Sequence, residues 1–126
     1  MMATYAEPHA ETTIASADLD PWPLPAEWVL EGDPSPSGAV LSRSDDSRII
    51  RGVWQCTPGK FTWTFSYDET LVVVDGRATV ELDTGETVDL APGVMAFFGR
   101  GHEATWTVHE TLRKGFHADS PDPLPF

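Results

Sequence analysis

Between Arg43 and His117 the apolar residues never recur with a helical period; they alternate. Residues 77–83 do so strictly: Ala78, Val80 and Leu82 share one face, while Arg77, Thr79, Glu81 and Asp83 share the other. Asp83-Thr84-Gly85 then supplies a hairpin turn with a glycine where φ is free to be positive. Val88 and Leu90 continue the inward set, and Trp106 and Val108 alternate with Thr105 and Thr107. Glycines at 52, 59, 76, 85, 93, 99, 101 and 115 punctuate short β-branched and aromatic runs. The pattern predicts eight or nine short strands about 8–12 residues apart, hence an all-β chain closed as an antiparallel barrel or sandwich.

Proline marks the borders of this body. Six of the 11 prolines lie in residues 1–42 and three in 121–125, leaving Pro58 and Pro92 between. Residues 1–36, with seven acidic and no basic side chains, read as an N-terminal arm anchored through Trp22, Trp28, Val29 and Leu30. Residues 37–118 form the barrel, and 119–126 an extended tail. At 126 residues the chain fits one domain. Its net charge of -12 excludes a nucleic-acid or anionic-membrane binder, because phosphate contact needs clustered Lys and Arg. No apolar run is long enough for a membrane helix, and the first basic residue, Arg43, comes too late for a leader peptide, so the expected location is cytoplasmic. The single cysteine, Cys56, rules out an internal disulfide and reads as a buried, inert thiol.

Two runs break the alternation: Thr70–Val74 and Val94–Phe98 are continuously apolar, as expected of strands covered on both faces. The outer cover is either the chain's own arm or a second copy, making a homodimer; the sequence leaves both open.

Chemistry concentrates at two positions. Phe61, Trp63 and Phe65 share an inward strand face, followed by Tyr67, Asp68 and Glu69. Glu69 directly precedes an apolar run, which sets it at the mouth or floor of the interior or else on a solvated rim. Lys114 shares its parity with Leu112 and Phe116, so it faces inward with them or snorkels out from a strand end. Glu69 is the partner to test for it. His102, His109 and His117 show no metal-ligand spacing.

The ordered series Gly52–Phe61, Asp68-Glu69-Thr70 with Asp75-Gly76, Ala91-Pro92-Gly93, Ala104-Thr105-Trp106 and Leu112-Arg113-Lys114 resembles the small single-domain cupins. These are related to the cupin domain of (S)-ureidoglycine aminohydrolase and to the ethanolamine-utilisation cupins. The resemblance implies a jelly-roll-like cupin barrel over about residues 29–117. The first cupin motif, G-x5-H-x-H-x3-4-E-x6-G, fits at Glu69 and Gly76 but sets Trp63 and Phe65 in its histidine positions. The second, G-x5-P-x-G-x2-H-x3-N, fits at Gly93 and Gly101, with Gly99 for the proline, Ala104 for the histidine and Val108 for the asparagine. Only Glu69 remains of the usual metal ligands, so the resemblance implies a cupin without that metal set and with no cofactor. It also implies a substrate-binding role for Lys114.

Three readings follow. In the first, the barrel binds a small organic metabolite without metal. Trp63, Phe65, Tyr67 and Trp106 form walls, His102 lies beside them, and Glu69 and Lys114 serve as polar anchors or as an acid–base pair of isomerase, lyase or hydrolase type. In the second, the same aromatics fill the barrel of a non-catalytic accessory protein. In the third, Glu69 and His102, with His109 or His117, bind a relocated metal. Binding and catalysis both stay open.

Overall fold

A computed structural model describes residues 3–126. Nine strands form one continuous antiparallel sheet: β1 (Asp20–Pro21), β2 (Val29–Gly32), β3 (Pro36–Arg43), β4 (Ile49–Cys56), β5 (Gly59–Thr64), β6 (Asp68–Leu82), β7 (Thr87–Leu90), β8 (Met95–Phe98) and β9 (Glu103–Asp119). Two single 3₁₀ turns, Ile14–Ser16 and Ala26–Trp28, are the only helical pieces among the described residues. Among those residues no helix is long and apolar enough to cross a membrane.

The strands are not uniformly short. β6 spans 15 residues and β9 spans 17, and the two pair along most of their length. The first part of β9 (103–108) pairs with β5, and its last part (112–119) pairs with β4. On β6, the first part pairs with β8 and the last part with β7. The sheet therefore has two halves, β2-β5-β9-β6-β7 and β1-β3-β4-β9-β6-β8, joined by its two long strands. Their inward faces meet: Trp54 of β4 lies with its ring centroid 6.5 Å from Phe61 of β5 and 6.0 Å from Trp106 of β9.

β6 serves both halves because its side-chain parity switches. Glu69, Leu71 and Val73 face inward, and so do Ala78 and Val80, an odd set followed by an even one. The switch falls at a bulge through Asp75, Gly76 and Arg77. Gly76 has φ 80°, and a Cβ there would lie 2.0 Å from the Thr111 carbonyl oxygen. β9 keeps one parity: Ala104, Trp106, Val108, Leu112, Lys114 and Ala118 are all buried.

The arm contributes strands as well as anchors. β2 pairs with β5, and β1 with β3. Trp22 crosses Gly38 so closely that a Cβ there would lie 2.3 Å from the indole. Trp28 meets Trp63 edge-on, whereas Leu30 points outward and is exposed. Further upstream, Ile14 packs on Gly115, and the Arg113 Nη1 donates to the carbonyls of Ile14 (2.9 Å) and Ala17 (3.1 Å). The tail is held by Leu124, whose N–H donates to the Ser47 carbonyl at 2.8 Å and whose side chain joins the core.

The expected double cover of Val94–Phe98 does not hold within the chain. Phe98 is buried, but Met95 is 69% and Phe97 64% exposed. The arm packs on Gly115 through Ile14.

Replacing Gly76 by alanine should cost about 2–4 kcal/mol, because a left-handed residue and a backbone clash coincide. Urea unfolding of Gly76→Ala reads this directly, and a loss under about 1 kcal/mol would mean that the bulge adapts.

Candidate functional site

Between the two halves of the sheet lies a cavity of about 30 Å³, room for one or two waters. Glu69 and Lys114 line it together, although they are 45 residues apart in sequence. The β6–β9 register makes this possible: Val73 pairs with Lys114 and Glu69 with Ala118, so both polar side chains project from adjacent strands of one half. The Lys114 Nζ donates to the Glu69 Oε2 at 2.5 Å. Lys114 is 5% and Glu69 3% exposed, and Lys114 lies in mid-strand instead of snorkelling from an end.

Aromatic faces surround the ammonium. Nζ lies 4.7 Å from the ring centroid of Trp54, 4.9 Å from that of Trp106 and 6.0 Å from that of Phe116. Phe61 stacks on Trp106 with centroids 6.1 Å apart. Tyr67 is buried beside Glu69; burial first, and then the neighbouring carboxylate charge, push its hydroxyl up from the usual phenol range, so it stays a neutral O–H. The Trp106 indole N–H is buried and, among the described residues, meets no acceptor. Two rings from the ends of the chain complete the walls. Trp22 and Phe126 lie 4.9 Å apart, with Phe126 5.9 Å from Tyr67 and Trp22 6.3 Å from Phe116.

Of the residues singled out from sequence, Glu69, Lys114, Trp63, Tyr67 and Trp106 meet at this cavity. Phe65 does not line it; it is buried behind, stacked on Phe98 at 5.1 Å. His102 lies outside it, exposed on the turn before β9, with its Nδ1 2.9 Å from the Asp83 Oδ1. The same turn holds Asp83 through the Glu103 N–H, and these bonds keep the Asp83 carboxyl below its ordinary range. Trp54, Phe116, Trp22 and Phe126 line the cavity but were not singled out. For Phe116 the signal was available, since it shares the parity of Lys114; for Phe126 there was none.

The metal reading can be tested on the donor set. The positions at which the motifs call for ligands hold an indole (Trp63), a phenyl ring (Phe65), a methyl group (Ala104) and a carboxylate already paired with Lys114. These groups do not fit a divalent cation. The relocated set fails on geometry. His109 sits on the outer face, bonded to the Thr79 hydroxyl at 2.8 Å. His117 is also outward, with burial first and then Arg51 lowering its pKa. Among the described residues no three His, Cys, Asp or Glu side chains converge. Cys56 is fully buried, and desolvation pushes its thiol up to about 12, so it is no nucleophile.

Removing one partner of the buried pair leaves the other charge unpaired. Lys114→Met and Glu69→Gln should each destabilise by about 3–5 kcal/mol, and the double variant by clearly less than their sum. A double-mutant cycle in urea measures the coupling; additive losses would show that the two charges do not support each other.

No curated protein matches the chain in sequence. Among solved structures, the putative ethanolamine utilisation protein EutQ of Salmonella typhimurium is 25% identical over 70% of this chain and 72% of its own, with a TM-score of 0.61. The EutQ protein of Clostridium difficile is 24% identical over 71% of each chain, with a TM-score of 0.62. A protein of unknown function from Pseudomonas syringae pv. tomato is 23% identical over 81% of this chain, with a TM-score of 0.74; the chain spans only 44% of that protein's length. The family model described as the EutQ-like cupin domain matches residues 43–116, which run from β3 to the cavity-lining Phe116. The chain thus belongs to the EutQ-like cupin domain family.

Proposed function

We propose that this cupin binds a small organic metabolite in its barrel without a divalent metal, with Glu69 and Lys114 as its polar anchors. The observation that carries the reading is the buried Glu69–Lys114 pair on the wall of an aromatic cavity. A buried ion pair is seldom the most stable filling for a core, so its presence supports a use for its charges. The pair can hold a ligand by its polar groups while Trp63, Tyr67 and Trp106 hold its apolar part. It is also equipped to move a proton: the carboxylate accepts one, the ammonium gives one, and the Tyr67 hydroxyl donates a hydrogen bond. Isomerisation, elimination or hydrolysis each fit that chemistry. The likeness to the ureidoglycine aminohydrolase domain belongs to this proposal and extends to ligand contact by Lys114; the hydrolysis of ureidoglycine does not carry over, because the ligand set differs.

The small cavity volume favours a second reading, an accessory protein with a filled barrel. Thermal-shift screening of the purified protein against a metabolite library separates the two. A binder gives at least one stabilising hit that Glu69→Gln and Lys114→Met both abolish; no hit, or a hit that survives both changes, favours the filled barrel.

The proposal includes a homodimer. Met95 and Phe97 lie side by side on β8, exposed, next to the half-buried Val72. Apolar surface of this kind is stabilised by cover, and a second copy of so acidic a chain brings the same apolar strip to the contact. Sedimentation velocity should show a dimer that Phe97→Ser shifts toward monomer; a monomeric parent protein at tens of micromolar would sink the idea.

A further inference from the structure

We propose that the ring of Phe126 occupies the ring subsite of the ligand, and that the ligand is a flat aromatic molecule carrying a carbonyl or carboxylate acceptor. The inference rests on the pocket reading above and specifies its ligand.

The first support is an unpaired donor on the cavity wall. The Lys114 ammonium carries three N–H donors and gives one to the Glu69 Oε2. The Trp106 N–H, in a side chain 2% exposed, has no acceptor among the described residues. Tyr67 adds an O–H. The Trp106 N–H is thus the donor on this wall left without an acceptor among the described residues. A buried donor left unpaired costs about 1–3 kcal/mol, so the wall favours a guest that brings an acceptor.

The second support is shape. The remaining walls are aromatic faces, which select flat apolar bodies. One such body is in place already: Phe126 sits 4.9 Å from Trp22 and 5.9 Å from Tyr67, at the side of the cavity that the arm and tail form. Its segment is attached separately. Leu124 is buried in the core and its N–H is bonded to Ser47, whereas Phe126, two residues on, is only half-buried. The Phe126 ring can therefore swing out while Leu124 stays seated. With the ring in place the cavity takes no more than a water or two; with it displaced, a ring-sized guest has the same aromatic neighbours and reaches the donors of Lys114 and Trp106.

The test titrates benzoate, benzylamine and acetate by calorimetry into the full chain and into Phe126→Ala. Benzoate should bind Phe126→Ala at least tenfold tighter than the parent, because it no longer displaces a ring. Benzylamine, a ring with donors, and acetate, an acceptor without a ring, should bind neither. Adding Lys114→Met to Phe126→Ala should remove the benzoate signal. Equal benzoate affinity for parent and Phe126→Ala would overturn the ring subsite. Benzylamine binding as well as benzoate would overturn the acceptor class, and no benzoate binding to either protein would overturn both. If Phe126→Ala fails to show a cooperative melt, Phe126→Leu, which keeps apolar contact without a ring, carries the same titration and the same outcomes. A library hit that lacks an aromatic ring but needs Glu69 and Lys114 keeps the pocket and sinks this ligand class; loss of dependence on those two residues sinks the pocket itself.

Discussion

The ladder between β6 and β9 is the constraint on which everything else hangs. Two strands of 15 and 17 residues are longer than one flat face requires. Each belongs to both halves of the sheet, so their pairing fixes how the halves face one another. Strand twist alone does not allow one strand to bury the correct residues on both sides of such a crossing. The bulge at Asp75–Arg77 solves this by shifting the inward set of β6 from odd to even positions, whereas β9 passes the same point with Glu110 exposed and no change of parity. The register that results sets Glu69 and Lys114 on one inward face of adjacent strands, where the ammonium reaches the carboxylate. The site is a consequence of the crossing, and a slip of one residue in this ladder would put the two charges on opposite faces of the sheet.

Burying those charges is costly. Taking an ammonium and a carboxylate out of water costs several kcal/mol per ion, and their attraction offsets this only when the geometry is close. Here the geometry is close: one short hydrogen bond, and two indole faces within 5 Å of Nζ. The aromatic faces replace some of the lost hydration of the cation, about 0.5–2 kcal/mol each. They do nothing for the carboxylate, whose basic partner among the described residues is Lys114. Hence Glu69 and Lys114 act as one unit, and a guest that took either charge for itself would have to compensate the other.

How much of this could be read from the sequence depended on distance along the chain. Local periodicity gave the inward face of Ala78, Val80 and Leu82, and the parity of Leu112 put Lys114 inside, because a strand's alternation is a property of neighbours. The motif spacing around Glu69 and Gly76 identified the fold family. Four features were not legible. The contact of Glu69 with Lys114 needed the register of a ladder joining residues 45 apart. His102 sits two residues from Ala104 but just outside β9, where strand parity no longer holds, so it lies with Asp83 at the surface. In Val94–Phe98 an unbroken apolar run tells that both faces are apolar and not what covers them, and Met95 and Phe97 proved to be open to solvent. Trp22 and Phe126 close the cavity from opposite ends of the chain, a placement set by Gly38 and Leu124 and not by any local pattern.

The substitution pattern of the motif positions acquires a physical sense once Lys114 is counted with them. Trp63, Phe65 and Ala104 replace polar groups with apolar ones, and in isolation that would strand Glu69 as a bare carboxylate in an aromatic box. A cation is required, and the chain supplies it on the adjacent strand. An ammonium asks less of its surroundings than a divalent ion does: one carboxylate and the faces of indoles suffice, where a metal needs three or four ligating atoms. The loss of the histidines and the presence of an inward lysine are therefore two parts of one arrangement. It also changes what the interior can recognise. A metal gathers lone pairs from any direction in its coordination sphere, whereas Lys114 and Trp106 hold N–H groups in fixed directions between flat walls, and under the proposed function a guest would be read by its shape as well as its acceptor.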